Sequence, residues 1–154
     1  ALAKHYQIAF NLIPQIDVFQ DNLYTKEEMK MVNETKKIMG DDNIKVTATT
    51  VRVPVYRSHA ESVNVEFEDE VSVEAAKKAL AAFPGVIVKD NPAEQEYPMP
   101  LDTSGKNDVE VGRIRKDFSN DNTLNFWVCG DQIRKGAALN TLQIAEYMVE
   151  NDMI

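Results

Sequence analysis

The chain has 154 residues, 44% of them hydrophobic and 27% charged, with a formal net charge of −8; this is the make-up of a soluble domain long enough to bury a core of its own. Acid gathers in "VEFEDEVSVE" while Lys and Arg are scattered, which argues against a nucleic-acid partner, since phosphate binding needs clustered cations. No apolar run approaches the roughly 20 residues that cross a bilayer and the N-terminus lacks the apolar stretch of a signal peptide, so a cytoplasmic protein with no membrane partner is expected.

The elements follow in chain order. "YQIAFNLIPQIDVF" is an apolar run interrupted by Pro14 and reads as a short strand and then a loop. In "YTKEEMKMVNETKKIMG", Thr25 and Glu28 form a capping box, Met31, Val32, Thr35, Ile38 and Met39 repeat at helical spacing, and Gly40 supplies the stop; a helix from Lys26 to Met39 is predicted. "NIKVTATTVRVPV" is β-branched almost throughout and predicts a strand that ends or bulges at Pro54. "ESVNVEFE" alternates Val63, Val65 and Phe67 against Asn64, Glu66 and Glu68, a strand with one wet face.

"SVEAAKKALAAF" predicts a second helix, capped by Ser72 and halted at Pro84–Gly85, before a short strand over Val86 to Val88. Asp90 to Asn107, with three prolines, reads as a long irregular loop, a length often reserved for function or assembly. "DVEVGRIRKDF" and "NTLNFWVCGD" read as two strands joined by the turn "SNDN". "RKGAALNTLQIAEYMVEN" closes the chain as a helix with Ala138, Leu142, Ala145 and Met148 on one stripe. Adjacent strands with no helix between them predict an α+β fold, a mixed sheet with helices packed mainly on one face.

Candidate chemistry rests on isolated side chains, because GxGxxG, GxxxxGK[ST], GxSxG and HExxH are all missing. One cysteine, Cys129, excludes an internal disulfide or a multi-cysteine zinc site, and His5 and His59 fit no metal-ligand spacing, so no metal is expected. His59, just after a strand, has the side chain that titrates near neutrality, although a lone histidine there is more often a surface or satisfied core residue. Arg52 alternates with Val51 and Val53 and falls on the same face as Ala48 and Thr50. If that face is covered, the guanidinium requires an anion, either a structural carboxylate or a bound one gripped by its two-point geometry. Glu34 and Lys37, three apart on the first helix, form an ordinary surface pair at this level. Cys129 in "FWVCG" reads as a buried, inert thiol.

Five stretches, "FNLIPQIDVF", "YTKEEMKMVNETKKIM", "ATTVRVPVYRSHAESV", "VGRIRKD" and "RKGAALNTLQIAE", together resemble the C-terminal half of the aspartate-β-semialdehyde dehydrogenases. The resemblance runs in family order over nearly the whole chain. It implies the catalytic and dimerisation domain found in glyceraldehyde-phosphate-dehydrogenase-like enzymes, spanning 1–154 as one domain. The NADP-binding Rossmann domain and the nucleophilic cysteine would lie outside this chain.

The family's reaction is the NADPH-dependent reductive dephosphorylation of β-aspartyl phosphate to aspartate β-semialdehyde, on the route to lysine, threonine and methionine. By resemblance, His59 is the acid/base residue, Arg52 grips the substrate α-carboxylate, Glu34 pairs with its ammonium group and Lys37 lies near the phosphate. Asn140 resembles the asparagine that faces the nicotinamide. Cys129 stands where the family has an apolar residue, and Thr50 where many members have cysteine. A homodimer through a sheet face is implied, with Val63, Val65 and Phe67 on the face the partner covers. The chain alone is expected to be inactive. The other reading is a non-catalytic dimerisation or regulatory module derived from that family.

Overall fold

The fold is given by a computed structural model, which describes residues 6–154. His5 lies outside the described residues. By its contacts the chain divides into two units, Ala1–Pro54 and Val55–Ile154.

The first unit is built on α1 (Lys26–Met39), whose bounds are those predicted. Its start is set locally: the Glu28 amide donates to Thr25 Oγ1 at 3.2 Å, and the Thr25 amide donates to Glu28 Oε2 at 2.8 Å. Its end is set by Gly40, at φ 69°, in the left-handed region where glycine has no steric penalty. Glu28 has a second task, because its other oxygen accepts the Thr50 amide at 2.8 Å. This carboxylate therefore ties α1 to the segment leading to Arg52, and Tyr24 Oη, 3.0 Å from Thr47 Oγ1, adds a second tie. The amide hydrogen bonds from Thr25 and Thr50 hold the Glu28 carboxyl below its usual titration range.

Along the apolar stripe of α1, Val32 and Thr35 are half-buried, while Ile38 is 80% exposed and Met39 67%. The strands expected in this unit are corrected. The segment from Ile44 to Val53 forms no strand ladder, and its one pairing is an isolated bridge between Arg52 and Ile13. Burial nevertheless alternates, Ile44, Val46, Ala48 and Thr50 being half-buried and Lys45, Thr47 and Thr49 exposed. The period-two pattern is correctly legible, but a strand needs a neighbour to accept its hydrogen bonds. The opening segment likewise shows only the bridge residues Ile13 and Phe19.

The second unit holds a mixed four-stranded sheet in the order β1-β4-β3-β2. Its strands are β1 (His59–Glu66), β2 (Val86–Val88), β3 (Val109–Lys116) and β4 (Thr123–Gly130). β1 and β3 run antiparallel to β4, while β2 runs parallel to β3. Between β1 and β2 lies α2 (Val73–Ala82), capped by Ser72, whose Oγ accepts the Ala75 amide. Register assigns the faces. Val63 opposes Phe126, Val65 opposes Leu124, and Val111 opposes Val128. That face meets α2 in a core built on Ala76, Val111, Ile114 and Leu124, with Phe67 and Phe126 packed against it.

Val63, Val65 and Phe67 therefore line the face covered by α2. They do not wait for a partner, and this overturns their expected place on an uncovered face. The opposite face carries Ser62, Trp127, Glu110 and Gly112, and the predicted long loop folds across it. That loop is not wholly irregular, containing a 3-10 turn (Pro92–Glu94) and the one-turn helix α3 (Pro100–Thr103). Trp127 Nε1 donates to the Pro98 carbonyl at 2.9 Å. At Gly112 a Cβ would sit 2.6 Å from Pro98 Cδ of the loop and 2.2 Å from the carbonyl oxygen of Lys89, the residue just before the loop.

Charge fastens the loop as well. Lys89 Nζ lies 2.9 Å from Asp102 and 3.6 Å from Glu110, and Lys106 Nζ lies 3.2 Å from the other Glu110 oxygen. Glu110 itself is buried, and a carboxylate there requires these cations. Past Gly112 the pairing slips by one residue, from Gly112↔Trp127 to Arg115↔Asn125. The bulge puts Arg113 at φ 52°, turns Ile114 into the core, and is held by Asp90, which accepts the Arg113 and Ile114 amides.

The predicted C-terminal helix begins as a π-helical turn (Arg134–Ala138) and continues as α4 (Leu139–Glu150). Of the residues on its expected stripe only Met148 is half-buried, while Ala138, Leu142 and Ala145 are exposed. None of the described residues in the second unit covers that face.

Candidate functional site

Three of the candidates belong to the first unit. Glu34 and Lys37 sit on the last two turns of α1, both exposed, and among the described residues neither takes part in an ion pair. The surface pair expected from their spacing is not formed, which leaves each charge in water. Arg52 is held through its backbone, its amide donating to the Ile13 carbonyl at 2.8 Å and its carbonyl accepting the Ile13 amide at 3.1 Å. Its side chain is exposed, and no carboxylate among the described residues pairs with it. The expectation of a covered arginine that needs an internal anion is therefore corrected: a hydrated guanidinium has no such need.

His59 and Asn140 belong to the second unit. His59 opens β1 opposite Gly130, with its side chain exposed. The residue before it, Ser58, is buried and has φ 74°, a left-handed conformation uncommon for any residue but glycine. Its amide donates to Gln132 Oε1 at 2.8 Å, and its hydroxyl lies 3.3 Å from Ser104 Oγ. One residue further back, Arg57 Nε lies 2.7 Å from Asp131 Oδ2. Asn140 is half-buried in the first turn of α4, and among the described residues its carboxamide makes no hydrogen bond. Both its donor and its acceptor are thus left without a protein partner among the described residues.

Cys129 behaves as predicted. It is 1% exposed, and burial, with the nearby Glu110 charge adding to it, pushes its thiol up to about 11. A thiol so protonated at neutrality is not a nucleophile. Sequence reasoning passed over Asp131, Ser58 and Gln132. Asp131 is fully buried, and the only sequence signal for it is an acidic residue directly after a strand and shortly before a helical turn, where a carboxylate can accept free amides.

Among the described residues no three His, Cys, Asp or Glu side chains gather as a metal site, and no helix is long and apolar enough to cross a membrane. Fold and site together define an α+β domain with a mixed sheet, presenting isolated ionisable side chains with neither a phosphate-cradling loop nor a metal centre among the described residues.

Residues 1–135 match the family described as the semialdehyde dehydrogenase dimerisation domain. The chain is 55% identical over 152 residues to the aspartate-semialdehyde dehydrogenase of Bacillus subtilis, covering 98% of this chain and 44% of that protein. Among solved structures, aspartate semialdehyde dehydrogenase II from Vibrio cholerae, complexed with ASA, superposes with a TM-score of 0.89 at 48% identity, over 94% of this chain and 43% of that one. The Candida albicans enzyme, determined with NADP, gives 0.76 at 28% identity, over 96% of this chain and 46% of that one. The chain belongs to the semialdehyde dehydrogenase dimerisation-domain family, and it spans somewhat under half the length of the relatives it matches.

Proposed function

We propose that this chain is the substrate-binding and dimerising part of an aspartate-semialdehyde dehydrogenase, the enzyme that reductively dephosphorylates β-aspartyl phosphate with NADPH in amino-acid biosynthesis in the cytoplasm. The observation that carries the reading is the 55% identity to the Bacillus subtilis enzyme across 98% of the chain. The free, exposed state of Arg52, Glu34, Lys37 and His59 agrees with it, since side chains reserved for a ligand should not be spent on internal partners.

Each residue has a task suited to its chemistry. Arg52 offers a planar fork to the substrate α-carboxylate, a geometry that lysine cannot copy. Glu34 pairs with the substrate ammonium group, and Lys37 places a point charge beside the departing or entering phosphate. His59 takes the proton of the attacking thiol and returns one as the tetrahedral adduct collapses. The thiol is not that of Cys129, which stays protonated; it is supplied, like the Rossmann domain, by the part of the enzyme outside these residues. NADPH, when bound, supplies the hydride. Asn140 would face its carboxamide, while the bulk of the cofactor would be held by the Rossmann domain.

The homodimer would form through the sheet face crossed by the 90–107 loop. Met99 and Leu101 are exposed there, beside a shallow groove lined by Ser62, Tyr97, Arg113, Arg115 and Trp127.

A chimera tests the reading. This chain replaces the corresponding part of the Bacillus subtilis enzyme, and NADP reduction is followed with aspartate semialdehyde and phosphate. The expected result is turnover, reduced at least about 100-fold by His59→Asn in kcat. Arg52→Lys should act mainly through a raised KM. A folded chimera without activity, or one indifferent to His59→Asn, would overturn the proposal.

A further inference from the structure

The buried carboxylate of Asp131 has no part in the chemistry above, yet it gathers four contacts. Oδ1 accepts the Ile133 amide at 2.9 Å and the Arg134 amide at 3.3 Å. Oδ2 accepts the Gly105 amide at 2.6 Å and meets Arg57 Nε at 2.7 Å. These contacts come from three separate places: the start of the C-terminal helical segment, the end of the long loop, and the approach to β1. Burial alone would raise the carboxyl's pKa. The amides of Gly105, Ile133 and Arg134, followed by the Arg57 charge, outweigh that and hold it below the usual range, so the group is an anion at neutrality.

Arg57 stands two residues before His59. Gly130, the ladder partner of His59, stands one residue before Asp131. The imidazole makes no hydrogen bond of its own among the described residues, so its place is set by the backbone on either side of it. On one side that backbone is clamped by the ladder to Gly130. On the other it passes through Ser58 in a conformation that serine does not choose by itself. Something must hold that turn, and directly before it the Arg57 guanidinium sits 2.7 Å from the Asp131 carboxylate, a charge contact and not an aligned hydrogen bond. The Arg57 side chain is 37% exposed and that of Asp131 is 0% exposed, so the arginine reaches inward to a fixed anchor.

We propose that Asp131 is a positioning residue for His59, acting through Arg57 to fix the backbone from which the imidazole projects. The same carboxylate ties the long loop and the C-terminal helical segment to that point through the Gly105, Ile133 and Arg134 amides, so a single anion sets all three around the histidine. The catalytic consequence rests on the reading of His59 as the proton carrier; the geometric one does not.

The experiment has two arms. In the chimera, Arg57→Leu is expected to lower kcat about 10- to 100-fold, the cost of misplacing a reacting group by an ångström or less, with KM within about twofold of its starting value. Arg57→Lys, which keeps a cation beside the anchor, should recover much of the loss. Asp131→Asn should cause a fall at least as large, since it also weakens the ties to the Gly105, Ile133 and Arg134 amides, and Arg57→Leu should add less than about twofold in the Asp131→Asn background, where the tie it removes is already lost. In the 154-residue chain itself, the two histidines should give separable imidazole NMR signals, His59's being the one lost in His59→Asn. Arg57→Leu should shift the His59 signal and leave that of His5 in place.

A folded Arg57→Leu protein with unchanged kcat and an unmoved His59 signal would overturn the inference, as would a change confined to KM. If Asp131→Asn fails to fold, the Arg57 variants decide the matter alone. Should the signal move while His59→Asn leaves kcat intact, the positioning stands and the proposed role of His59 falls.

Discussion

Asp117 shows how a single side chain makes this fold sensitive to acid. Its carboxylate accepts the Ser119 amide and hydroxyl, both at 2.7 Å, together with the amide groups of Asn64 and Asn125. The Ser119 hydrogen bonds, hydroxyl first, bring its pKa down to about 2, against an unfolded value of about 3.9. A carboxyl depressed on folding stabilises the protein above its unfolded pKa, and that contribution is lost as pH falls through the folded one. Asp117→Asn should therefore lower the thermal midpoint at neutral pH, with the gap to the parent closing between about pH 4 and about pH 2. A gap of constant size across that range would refute the assignment. Glu28 and Asp131 are depressed in the same sense, so the parent protein loses stability through several carboxylates at once. Of these, only Glu28 was visible in advance, because a capping box is a contact between residues three apart.

Elements divide by how local their cause is. The first two helices and β2 fall where their caps, periodicity and breakers placed them, and β3 and β4 form the hairpin that the "SNDN" turn predicts. The stretch Ile44–Val53 has the composition and the alternating burial of a strand, yet only Arg52 pairs, because ladder bonds are made between segments and no single segment carries that information. The fit of the 90–107 loop to the sheet was equally invisible, and Gly112 is its clearest mark. A Cβ there would lie 2.2 Å from the Lys89 carbonyl and 2.6 Å from Pro98 Cδ, so neither a backbone group nor a ring could move aside cheaply. Gly112→Ala should cost about 1–3 kcal/mol, as overpacking does, and should expose Trp127, giving a red-shifted fluorescence maximum even below the unfolding transition. Unchanged stability and emission would mean that the loop does not press on the strand.

At the level of the assembled protein, the apolar side chains left in water are the informative feature. Leu101 is 86% exposed on α3 and Met99 42% exposed just before it, on the sheet face opposite α2. We expect a dimer by sedimentation at micromolar concentration, weakened by Leu101→Glu with little change in the thermal midpoint of the dissociated chain. A parent protein that stays monomeric would contradict it. The exposed Leu142 and Tyr147 of α4 and the exposed Ile38 of α1 are further apolar surface with no cover among the described residues, in keeping with a chain that spans 44% of its Bacillus subtilis relative.

Membership of the family was legible from five stretches of sequence, and most of the elements were legible too, because caps, turn residues and apolar periodicity act over three or four positions. The candidate residues His59, Arg52, Glu34, Lys37 and Asn140 were put forward through the same resemblance, and their surroundings were not legible. Whether Arg52 is covered, which face Val63, Val65 and Phe67 occupy, and where the Asp131 carboxylate reaches all depend on contacts between segments far apart in the chain. Arg57 and Asp131 are the clearest case: 74 positions separate them, and only folding brings a guanidinium nitrogen within 2.7 Å of a carboxylate oxygen.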